Sequence, residues 1–326
     1  MLKVGIVGIG GISRVHINGY LAAEGVKLVA AADIDENAKC RSILPEGTRF
    51  YTSLSEMLEN EELDVLDVCT PTYLHAEMVK EGLLHGINVI CEKPMVRHSE
   101  EALELIRLAK EKGKRFMVAH VVRFMSPYRY LKKVFESREL GSPVHINLQR
   151  LSPLPRWGSD NWFCNTDLSG GALLDLSIHD LDYALSAFGE PIDISAVHKI
   201  QKNSDGELEN EVINTSLNYD GFSVSVTGAF FGTEGYPFSA EYYAVFENGW
   251  LESKGGKLYR SGEEVSLDEE DEDTGVNVKG ASAYTDEIIY FIDCVKNGKN
   301  PDMATPESAM RSVLLTEKIR KTAKQV

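Results

Sequence analysis

Cysteine is scarce in this sequence, and long apolar runs are missing from it. The 326 residues include five cysteines, and no two of these have the Cys-x-x-Cys spacing of zinc fingers and redox motifs. This usage predicts a reducing compartment, the cytoplasm. No apolar run approaches the roughly 20 residues that a membrane-spanning helix needs, and the first residues lack the pattern of a signal peptide. We therefore expect no membrane partner.

Basic residues are also few. Lys and Arg number 34 against 50 Asp and Glu, which gives a formal net charge of −16. A protein that neutralises nucleic-acid phosphates needs a basic face, so we expect no nucleic-acid partner. The hydrophobic fraction of 43% is that of an ordinary globular protein, and the chain is long enough for two domains.

Short apolar strands alternate with helical segments in the first part of the chain. This alternation is typical of a doubly wound, parallel α/β sheet. The expected strands are Lys3–Val7, Val26–Ala32, Thr48–Tyr51, Val65–Cys69, Asn88–Cys91 and Arg115–Ala119. We expect Asp35 to cap a helix that continues to Leu44, and Gly113 to end another helix. Ser53 and Glu56 have the spacing of a capping box.

Longer alternating strands with few helices follow, and we place the domain boundary between 1–122 and 123–326. Asp220-Gly221 and Asn248-Gly249 separate two pairs of strands, and both dipeptides favour two-residue hairpin turns. The second domain is therefore predicted to be an antiparallel meander backed by helices on one face. The all-acidic run Asp268–Asp273 predicts a solvated loop.

A glycine-rich turn, Gly8-Ile9-Gly10-Gly11-Ile12-Ser13, joins the first strand to the first helix. Small residues here allow a tight turn and let a pyrophosphate approach the N–H groups of the helix. Ser13 takes the place of the third glycine in the Rossmann dinucleotide-binding pattern, which weakens the match. We expect Gly8, Gly10, Gly11, Ile12 and Ser13 to bind the cofactor.

Asp33 ends the second strand about twenty residues later, where a carboxylate bonds the ribose hydroxyls of a dinucleotide. A plain helix cap is the alternative for Asp33, but Asp35 fits that role better. A carboxylate repels the 2′-phosphate of NADP, and Ile34 supplies no compensating charge. Asp33 and Ile34 therefore predict that the cofactor is NAD rather than NADP.

Glu92-Lys93-Pro94 follow the fifth strand, at the edge where open α/β sheets bind ligands. A lysine at this place can polarise a reacting oxygen through its charge and a hydrogen bond. The alternative is a surface ion pair between Glu92 and Lys93.

Asp175, His179 and Asp182 follow Gly170-Gly171 at spacings of four and three residues, so one helix would place all three on one side. A histidine can take a hydroxyl proton near neutral pH, and a carboxylate beside it can fix its tautomer. One alternative is that Asp175 caps a helix beside a core histidine, which is compatible with a functional role. The other is a metal site, and we expect none because no further His or Cys pair clusters nearby.

These motifs together resemble the Gfo/Idh/MocA family, named after glucose–fructose oxidoreductase, inositol dehydrogenase and a rhizopine-catabolism protein. The residues that carry the resemblance are Gly8-x-Gly10 with His16, Thr70-Pro71 with His75, Glu92-Lys93-Pro94, Arg123-Phe124, and Gly170-Gly171 with Asp175, His179 and Asp182. They occur in this order over nearly the whole chain, and Ser13 is the one departure. The resemblance implies an N-terminal Rossmann domain and a C-terminal α+β domain with a large, mostly antiparallel open sheet, through which a homodimer or homotetramer forms.

The resemblance also implies which residues lie along the cofactor and around the substrate. Thr70, Pro71, His75, Glu92 and Lys93 would contact the nicotinamide cofactor. Further residues that would contact the substrate are Arg123, Arg156, Trp157, Asn161 and Trp162. The alternative is that this cluster of Arg and Trp residues forms an interdomain or subunit contact.

The reaction that the resemblance implies is reversible hydride transfer between nicotinamide and a sugar or cyclic polyol. Lys93, Asp175 and His179 would surround the reacting carbon and contact the substrate. His179, oriented by Asp175, would remove the hydroxyl proton while Lys93 stabilises the developing alkoxide. A phosphorylated or nucleotide-linked sugar would suit Arg150, acting with Arg123 and Arg156.

Two functions from other classes compete with this hypothesis. One is an NAD-dependent glycoside hydrolase that acts by transient oxidation and elimination. The other is a non-catalytic, nucleotide-sensing regulator, which needs the binding domain but no chemistry. The joint presence of Lys93, Asp175 and His179 argues against the regulator, because a sensor gains nothing from these three residues.

Overall fold

The computed structural model of the chain describes residues 1–156, 158–204, 206–267 and 281–326. Two predictions, on Trp157 and on the acidic run Asp268–Asp273, lie outside the described residues. Within the described part, no helix combines the length and the apolar character that crossing a membrane requires.

The chain forms two compact units. The first comprises Met1–Phe124 and Glu270–Met310, of which 281–310 are described, and the second comprises Met125–Glu269 and Arg311–Val326. The domain boundary that we expect between residues 122 and 123 stays a prediction. The units differ from it in two respects, because the first unit continues to Phe124 and because 281–310 belong to it although they come late in the sequence.

A six-stranded parallel sheet is the centre of the first unit. Its strands are β1 (Leu2–Val7), β2 (Val26–Ala32), β3 (Arg49–Tyr51), β4 (Val65–Val68), β5 (Asn88–Glu92) and β6 (Phe116–Ala119), in the order β3-β2-β1-β4-β5-β6. Every residue of β4, β5 and β6 is buried, as expected for strands covered on both faces. The doubly wound parallel fold is therefore confirmed.

Helices cover this sheet. They are α1 (Ser13–Ala22), α2 (Leu54–Asn60), α3 (His75–Leu84), α4 (Ser99–Lys112) and, from the late segment, α8 (Ala281–Lys296). α8 packs closely on α1, because a Cβ at Gly19 would lie 2.9 Å from the Ile288 side chain. Gly113 ends α4 in the left-handed conformation, as predicted.

The caps of two predicted helices differ from expectation. Ser53 Oγ accepts the Glu56 N–H at 3.1 Å, as predicted, but the Glu56 carboxylate accepts the N–H of Thr52 rather than that of Ser53. The helix predicted from Asp35 to Leu44 is wrong. This segment consists of turns and a short 3-10 helix at Arg41–Ile43, because the Cys40 N–H donates to the carbonyl of Ile9 on the glycine-rich turn.

A nine-stranded sheet is the centre of the second unit, in the order β14-β13-β12-β11-β7-β10-β9-β8-β15. Its strands are β7 (Pro143–Pro153), β8 (Asp193–Lys202), β9 (Leu208–Asn218), β10 (Ser223–Phe231), β11 (Ser239–Phe246), β12 (Gly249–Lys254), β13 (Lys257–Arg260), β14 (Glu263–Val265) and β15 (Lys324–Gln325). The sheet is mostly antiparallel, as predicted. It departs from a simple meander because β7 lies between β10 and β11 and pairs parallel with β10.

Both predicted hairpins form, but one turn is shifted by a residue. β9 and β10 pair through a loop in which Gly221 has a φ of +82°, the region that favours glycine. β11 and β12 pair directly from Phe246 to Gly249, so the turn residues are Glu247 and Asn248 rather than Asn248-Gly249. The backbone N–H groups of Glu247 and Asn248 donate to the carbonyls of Ser142 and Leu140, and the Glu247 carboxylate accepts the Ser142 N–H. These bonds account for the shift of the turn.

The two faces of this sheet differ in character. A π-helical turn at Leu173–Ser177 and the helix α7 (Ile178–Phe188) pack against β7 and β10 on one face. The other helices that follow the first sheet are α5 (Ser126–Ser137), α6 (Thr166–Ser169) and α9 (Pro306–Thr322). The other face, which we call the open face, carries mostly polar side chains that are exposed or half-buried. Its central residues are Asn147, Gln149, Ser195, Val197, Asn214, Ser216, Ser225, Thr227, Glu241 and Tyr243.

Candidate active site

The predicted cofactor-binding residues of the first unit lie at one edge of its sheet. The carboxyl ends of parallel strands share an edge, and the glycine-rich turn, Asp33, Thr70-Pro71 and Glu92-Lys93 directly follow β1, β2, β4 and β5. The order of the strands changes direction between β1 and β4, which is where open α/β sheets bind nucleotides. The structure thus brings these residues to the same edge.

The glycines of the turn serve different purposes. Gly8 has a φ of +83°, and a Cβ there would lie 2.7 Å from the backbone of Cys69 and Thr70, so the crossing of two chain segments requires glycine. Gly10 has open space where its Cβ would be, with no atom within 4 Å. Ser13 is buried, and its hydroxyl donates to the Gly10 carbonyl at 2.8 Å, so the turn closes without a third glycine.

Asp33 holds the glycine-rich turn from the end of β2. Its carboxylate accepts the Ile9 N–H at 2.8 Å and the Asp35 N–H at 2.9 Å, while Ile34 is 89% exposed. Asp33 is therefore not the cap of a helix, the alternative that its position left open. Lys39 was not singled out by any motif, yet its Nζ lies 3.9 Å from the ideal Cβ position of Gly11.

Thr70 and His75 connect the loops that follow β4 and β5. The buried His75 ring contacts the Pro94 carbonyl through Nδ1 at 2.7 Å and the Thr70 carbonyl through Nε2 at 2.8 Å. Burial lowers the pKa of His75, and the two carbonyl contacts only partly oppose this effect. The Thr70 Oγ1 is buried and has no hydrogen-bond partner among the described residues. The open space at Gly10 and this unpaired hydroxyl fit a bound dinucleotide.

Glu92 is buried, so it does not form the surface ion pair that was the alternative for Glu92 and Lys93. One carboxylate oxygen, Oε1, contacts His16 Nε2 at 2.9 Å, and the other, Oε2, accepts the Lys93 N–H at 3.0 Å. Burial raises the pKa of Glu92, but the hydrogen bond from His16 and the charges of His16 and Lys93 lower it overall. The Glu92 carboxyl therefore stays ionised around neutral pH.

The second ring nitrogen of His16 binds another buried acid. His16 Nδ1 lies 2.8 Å from Asp67 Oδ2, which also accepts the Tyr20 hydroxyl at 2.9 Å. Burial lowers the pKa of His16, but Asp67 and Cys69 outweigh this effect and raise the pKa well above its usual value. His16, Asp67 and Cys69 each place one atom that could ligate a metal within 4.8 Å of the others. Hydrogen bonds among the three side chains account for this arrangement. The absence of a metal stays a prediction.

Asp67 is a residue that the sequence reasoning missed. An acid inside the apolar run Val65–Cys69 is the signal that would have identified it, because a buried carboxylate requires partners.

A carboxylate from the sheet holds the helical segment that carries Asp175 and His179. Glu211 Oε2 accepts the Ala172 N–H at 2.8 Å, and Glu211 Oε1 contacts His198 Nε2 at 2.9 Å. A Cβ at Gly171 would lie 2.4 Å from Glu211 Oε2, and Gly171 has a φ of +67°. Gly171 is thus explained by the approach of Glu211, which no sequence motif indicated, whereas Gly170 ends α6 in the left-handed conformation and its Cβ would meet the Leu174 side chain.

Asp175 and His179 share one side of this segment. Asp175 lies in the π-helical turn and His179 in the first turn of α7, and both are half-buried among fully buried neighbours. Asp175 is inside the helical segment, so it is not the cap that was its alternative. The prediction that Asp182 shares this side is wrong, because Asp182 is fully buried and accepts the Ser312 hydroxyl at 2.7 Å.

The remaining substrate-binding candidates lie in different places. In the first unit, Arg123 is half-buried and its guanidinium donates to the Met303 carbonyl. In the second unit, Arg156 and Asn161 are exposed, and the Trp162 ring stacks on Phe163 with a centroid distance of 3.9 Å. Substrate contact by these side chains stays a prediction.

Arg150 does not fit the expected contact with an anionic substrate. It is 3% exposed, and its guanidinium donates to both carboxylate oxygens of Asp180, at 3.3 and 3.1 Å. Tyr128 donates to the same carboxylate. The Arg150 guanidinium is therefore engaged by Asp180 inside the core of the second unit.

Two domain families match the chain. Residues 2–120 match the NAD-binding Rossmann fold of the Gfo/Idh/MocA oxidoreductase family, and residues 128–252 match the C-terminal domain of the same family. The fold and the motifs thus define an oxidoreductase family with a nucleotide-binding domain. The chain belongs to the Gfo/Idh/MocA family, which confirms the resemblance seen in its sequence.

Several known proteins are similar to the chain. UDP-N-acetylglucosamine 3-dehydrogenase of Acidithiobacillus ferrooxidans is 29% identical over 199 residues, which cover 60% of this chain and 58% of that protein. Glucose-6-phosphate 3-dehydrogenase of Bacillus subtilis is 29% identical over 188 residues, which cover 56% and 52%. The chain therefore spans little more than half the length of these curated relatives.

A solved structure extends the similarity of the fold to the whole chain. Myo-inositol 2-dehydrogenase of Lactobacillus plantarum aligns with a TM-score of 0.80 at 24% identity, over 99% of this chain and 97% of that one.

The contact between Gly171 and Glu211 predicts the effect of adding one methyl group. Gly171→Ala and Gly221→Ala both place an alanine at positive φ, but only position 171 brings its Cβ against a carboxylate, whereas no atom lies within 4 Å at Gly221. We expect Gly221→Ala to cost about 1 kcal/mol of unfolding free energy and Gly171→Ala to cost about 1–3 kcal/mol more. Urea denaturation of both variants measures the difference, and equal costs would contradict the role given to Glu211.

Proposed function

We propose that the protein is an NAD-dependent oxidoreductase that transfers a hydride between nicotinamide and a sugar or cyclic polyol. The observation that carries the proposal is the edge of the first sheet, where Gly10 leaves open space and the Thr70 hydroxyl lacks a partner among the described residues. Family membership supports an oxidoreductase. UDP-N-acetylglucosamine 3-dehydrogenase and glucose-6-phosphate 3-dehydrogenase act on sugars, by their names, and support the substrate class.

The proposed chemistry uses three residues. His179 removes the hydroxyl proton of the substrate, because a histidine exchanges protons near neutral pH. Asp175, four residues before it on the same side of the helical segment, orients the imidazole. Lys93 stabilises the alkoxide that develops as the proton leaves. Bound NAD supplies the acceptor for the hydride from the carbinol carbon.

The residues of the first sheet hold the cofactor in this proposal. The glycine-rich turn receives the pyrophosphate, since Gly10 offers no side chain to block it. Asp33 accepts hydrogen bonds from the ribose hydroxyls. Thr70, Pro71, His75 and Glu92 line the path toward Lys93.

The proposal predicts that Lys93→Met strongly lowers turnover while cofactor binding remains. NADH formation is followed with NAD⁺ and a panel of inositols, aldoses, polyols, sugar phosphates and UDP-sugars. We expect one class to be oxidised and Lys93→Met to lower kcat by about 100-fold or more, because removing one stabilising group for a developing oxyanion has this effect. The dissociation constant for NAD, measured by calorimetry, should stay within about threefold, a difference below 1 kcal/mol.

Other outcomes of this experiment separate the alternatives. Equal losses of turnover and NAD affinity would contradict the role of Lys93. Tightly retained NAD and glycoside cleavage without net NADH would indicate the redox-neutral hydrolase. NAD binding without any turnover would favour the regulator.

We further propose that NAD is preferred to NADP because of Asp33. Its carboxylate is fixed by two backbone N–H groups, so it cannot turn away from a 2′-phosphate without breaking both hydrogen bonds. Lys39 lies near the glycine-rich turn, where its charge would attract the phosphates of either dinucleotide. It therefore does not reverse the preference.

This preference predicts the effect of Asp33→Ser, which removes the charge and leaves a hydroxyl acceptor for the Ile9 N–H. We expect the ratio of NADP to NAD affinity to rise about tenfold, equivalent to about 1.4 kcal/mol. Asp35→Ser is the matched control, because Asp35 is an exposed carboxylate two residues away that bonds only locally. Equal ratios in both variants would show that Asp33 does not set the preference.

The open face of the second sheet is our proposed subunit interface of a homodimer or homotetramer. Its central side chains are mostly polar, with the exposed Val197 and Tyr243 among them, and no described element covers it. Thr227, at its centre, already bonds Asn214 at 2.9 Å. A flat face of this kind suits pairing with an identical face in a two-fold arrangement.

The interface predicts that Thr227→Arg lowers the molar mass measured by light scattering after size-exclusion chromatography. Two arginines would face each other across a two-fold interface and desolvation of their charges would be unfavourable. Leu103→Arg, on the exposed surface of α4, is the control and should keep the wild-type mass. A wild-type mass for Thr227→Arg would assign the interface to another surface.

A further inference from the structure

A buried charge network lies beside Lys93 in the first unit. His16 from α1 is fully buried between two carboxylates, Asp67 at the end of β4 and Glu92 at the end of β5. The two ring nitrogens lie 2.8 and 2.9 Å from the respective oxygens. An imidazolium that donates from both ring nitrogens satisfies this geometry, because ionised carboxylates can accept hydrogen bonds but cannot donate them.

The surroundings of the network favour this charge state. Tyr20 and Cys69 donate to Asp67, and Lys93 adds a positive charge and a backbone hydrogen bond at Glu92. Glu287 from α8 faces the same groups and Arg123. It is fully buried without a hydrogen-bond partner among the described residues. Burial and the charge of Glu92 raise the pKa of Glu287 well above its usual value, which favours its neutral form.

The network reaches Lys93 through Glu92. The carboxylate has two oxygens with different partners, since Oε1 contacts His16 and Oε2 accepts the Lys93 N–H at 3.0 Å. Rotation of the carboxylate is therefore restricted, and the backbone from which Lys93 projects is attached to α1 and β4 as well as to its own strand. A neutral or rotated Glu92 would lose this attachment.

We propose that His16 and Asp67 are positioning residues for Lys93, because they hold Glu92 in the orientation and charge state that fixes the Lys93 backbone. This inference rests on the proposed function, in which Lys93 stabilises the developing alkoxide. A core that needed only stability would be served as well by apolar residues of similar volume, since burying charges carries a large desolvation cost. A precisely placed charged group, by contrast, needs a fixed support.

The experiment compares His16→Gln and Asp67→Asn with the wild type. Each variant removes a charge and keeps a side chain that can form hydrogen bonds. His85→Gln, an exposed histidine at the end of α3, is the matched control. Circular dichroism and the dissociation constant for NAD first establish that each protein is folded and binds cofactor.

Amide hydrogen exchange at Lys93 reports on the positioning without any substrate. We expect exchange of the Lys93 N–H, resolved by fragmentation in the mass spectrometer, to be about tenfold faster or more in His16→Gln, because its acceptor is no longer held. kcat should fall roughly 10- to 100-fold, the effect of a small displacement of a catalytic group, with KM and NAD affinity nearly unchanged. His85→Gln should match the wild type in all four measurements.

The pH profile adds a readout that a merely structural role would not move. Without the His16 cation, the pKa of Glu92 rises, so the neutral form persists to higher pH. The acidic limb of kcat should therefore shift to higher pH in His16→Gln, with partial recovery as the pH is raised.

The outcomes separate this inference from the proposed function. Unchanged Lys93 exchange, or a fall in kcat with an unshifted profile, would overturn the positioning role. Faster Lys93 exchange in a protein whose wild type shows no NAD-dependent turnover would support the network and overturn the proposed function instead. If His16→Gln does not fold, Asp67→Asn supplies the same comparison, because it weakens the His16 charge while leaving the ring in place.

Discussion

All six strands of the first sheet run parallel, and the position of each cofactor-binding candidate depends on that constraint. Parallel strands end at the same edge, so loops that are far apart in sequence meet there. β1 is central, with β2 on one side and β4 on the other. The loops after these three strands carry the glycine-rich turn, Asp33 and Thr70, and contacts such as that of Asp33 with Ile9 join them directly.

The two units use a similar device to hold a functional segment. In the first, the Glu92 carboxylate bridges the His16 ring and the N–H of Lys93. In the second, Glu211 bridges the His198 ring and the N–H of Ala172, where the helical segment with the catalytic candidates begins. Each carboxylate has one oxygen for an imidazole and one for the backbone. Such a bridge fixes a direction as well as a distance, since both oxygens are engaged.

Features that depend on nearby residues could be predicted from the sequence, and features that depend on distant partners could not. Alternating strands and the helix end at Gly113 follow from local conformational preferences. The helix expected after Asp35 fails because Cys40 bonds a distant turn. At the site, residue types and spacing indicated the candidates, whereas the roles of Asp67 and Glu211 exist only once several elements pack together. Gly171 is ambiguous in the sequence for the same reason, because the Glu211 side chain that it accommodates lies far away in the chain.

The helical segment of the second unit shows how packing selects among residues with suitable spacing. Asp175, His179 and Asp182 fit one helical face equally well, but Asp182 faces inward to Ser312 and only the first two are half-exposed. The π-helical turn before α7 adds a residue to the local repeat, so positions before and after it do not follow one α-helical stripe. π-helical turns recur at functional sites because they redirect side chains without ending the helix. Here Asp175 and His179 stay half-exposed while Asp182 enters the core, so packing against Ser312 rather than spacing decides which of the three side chains are accessible.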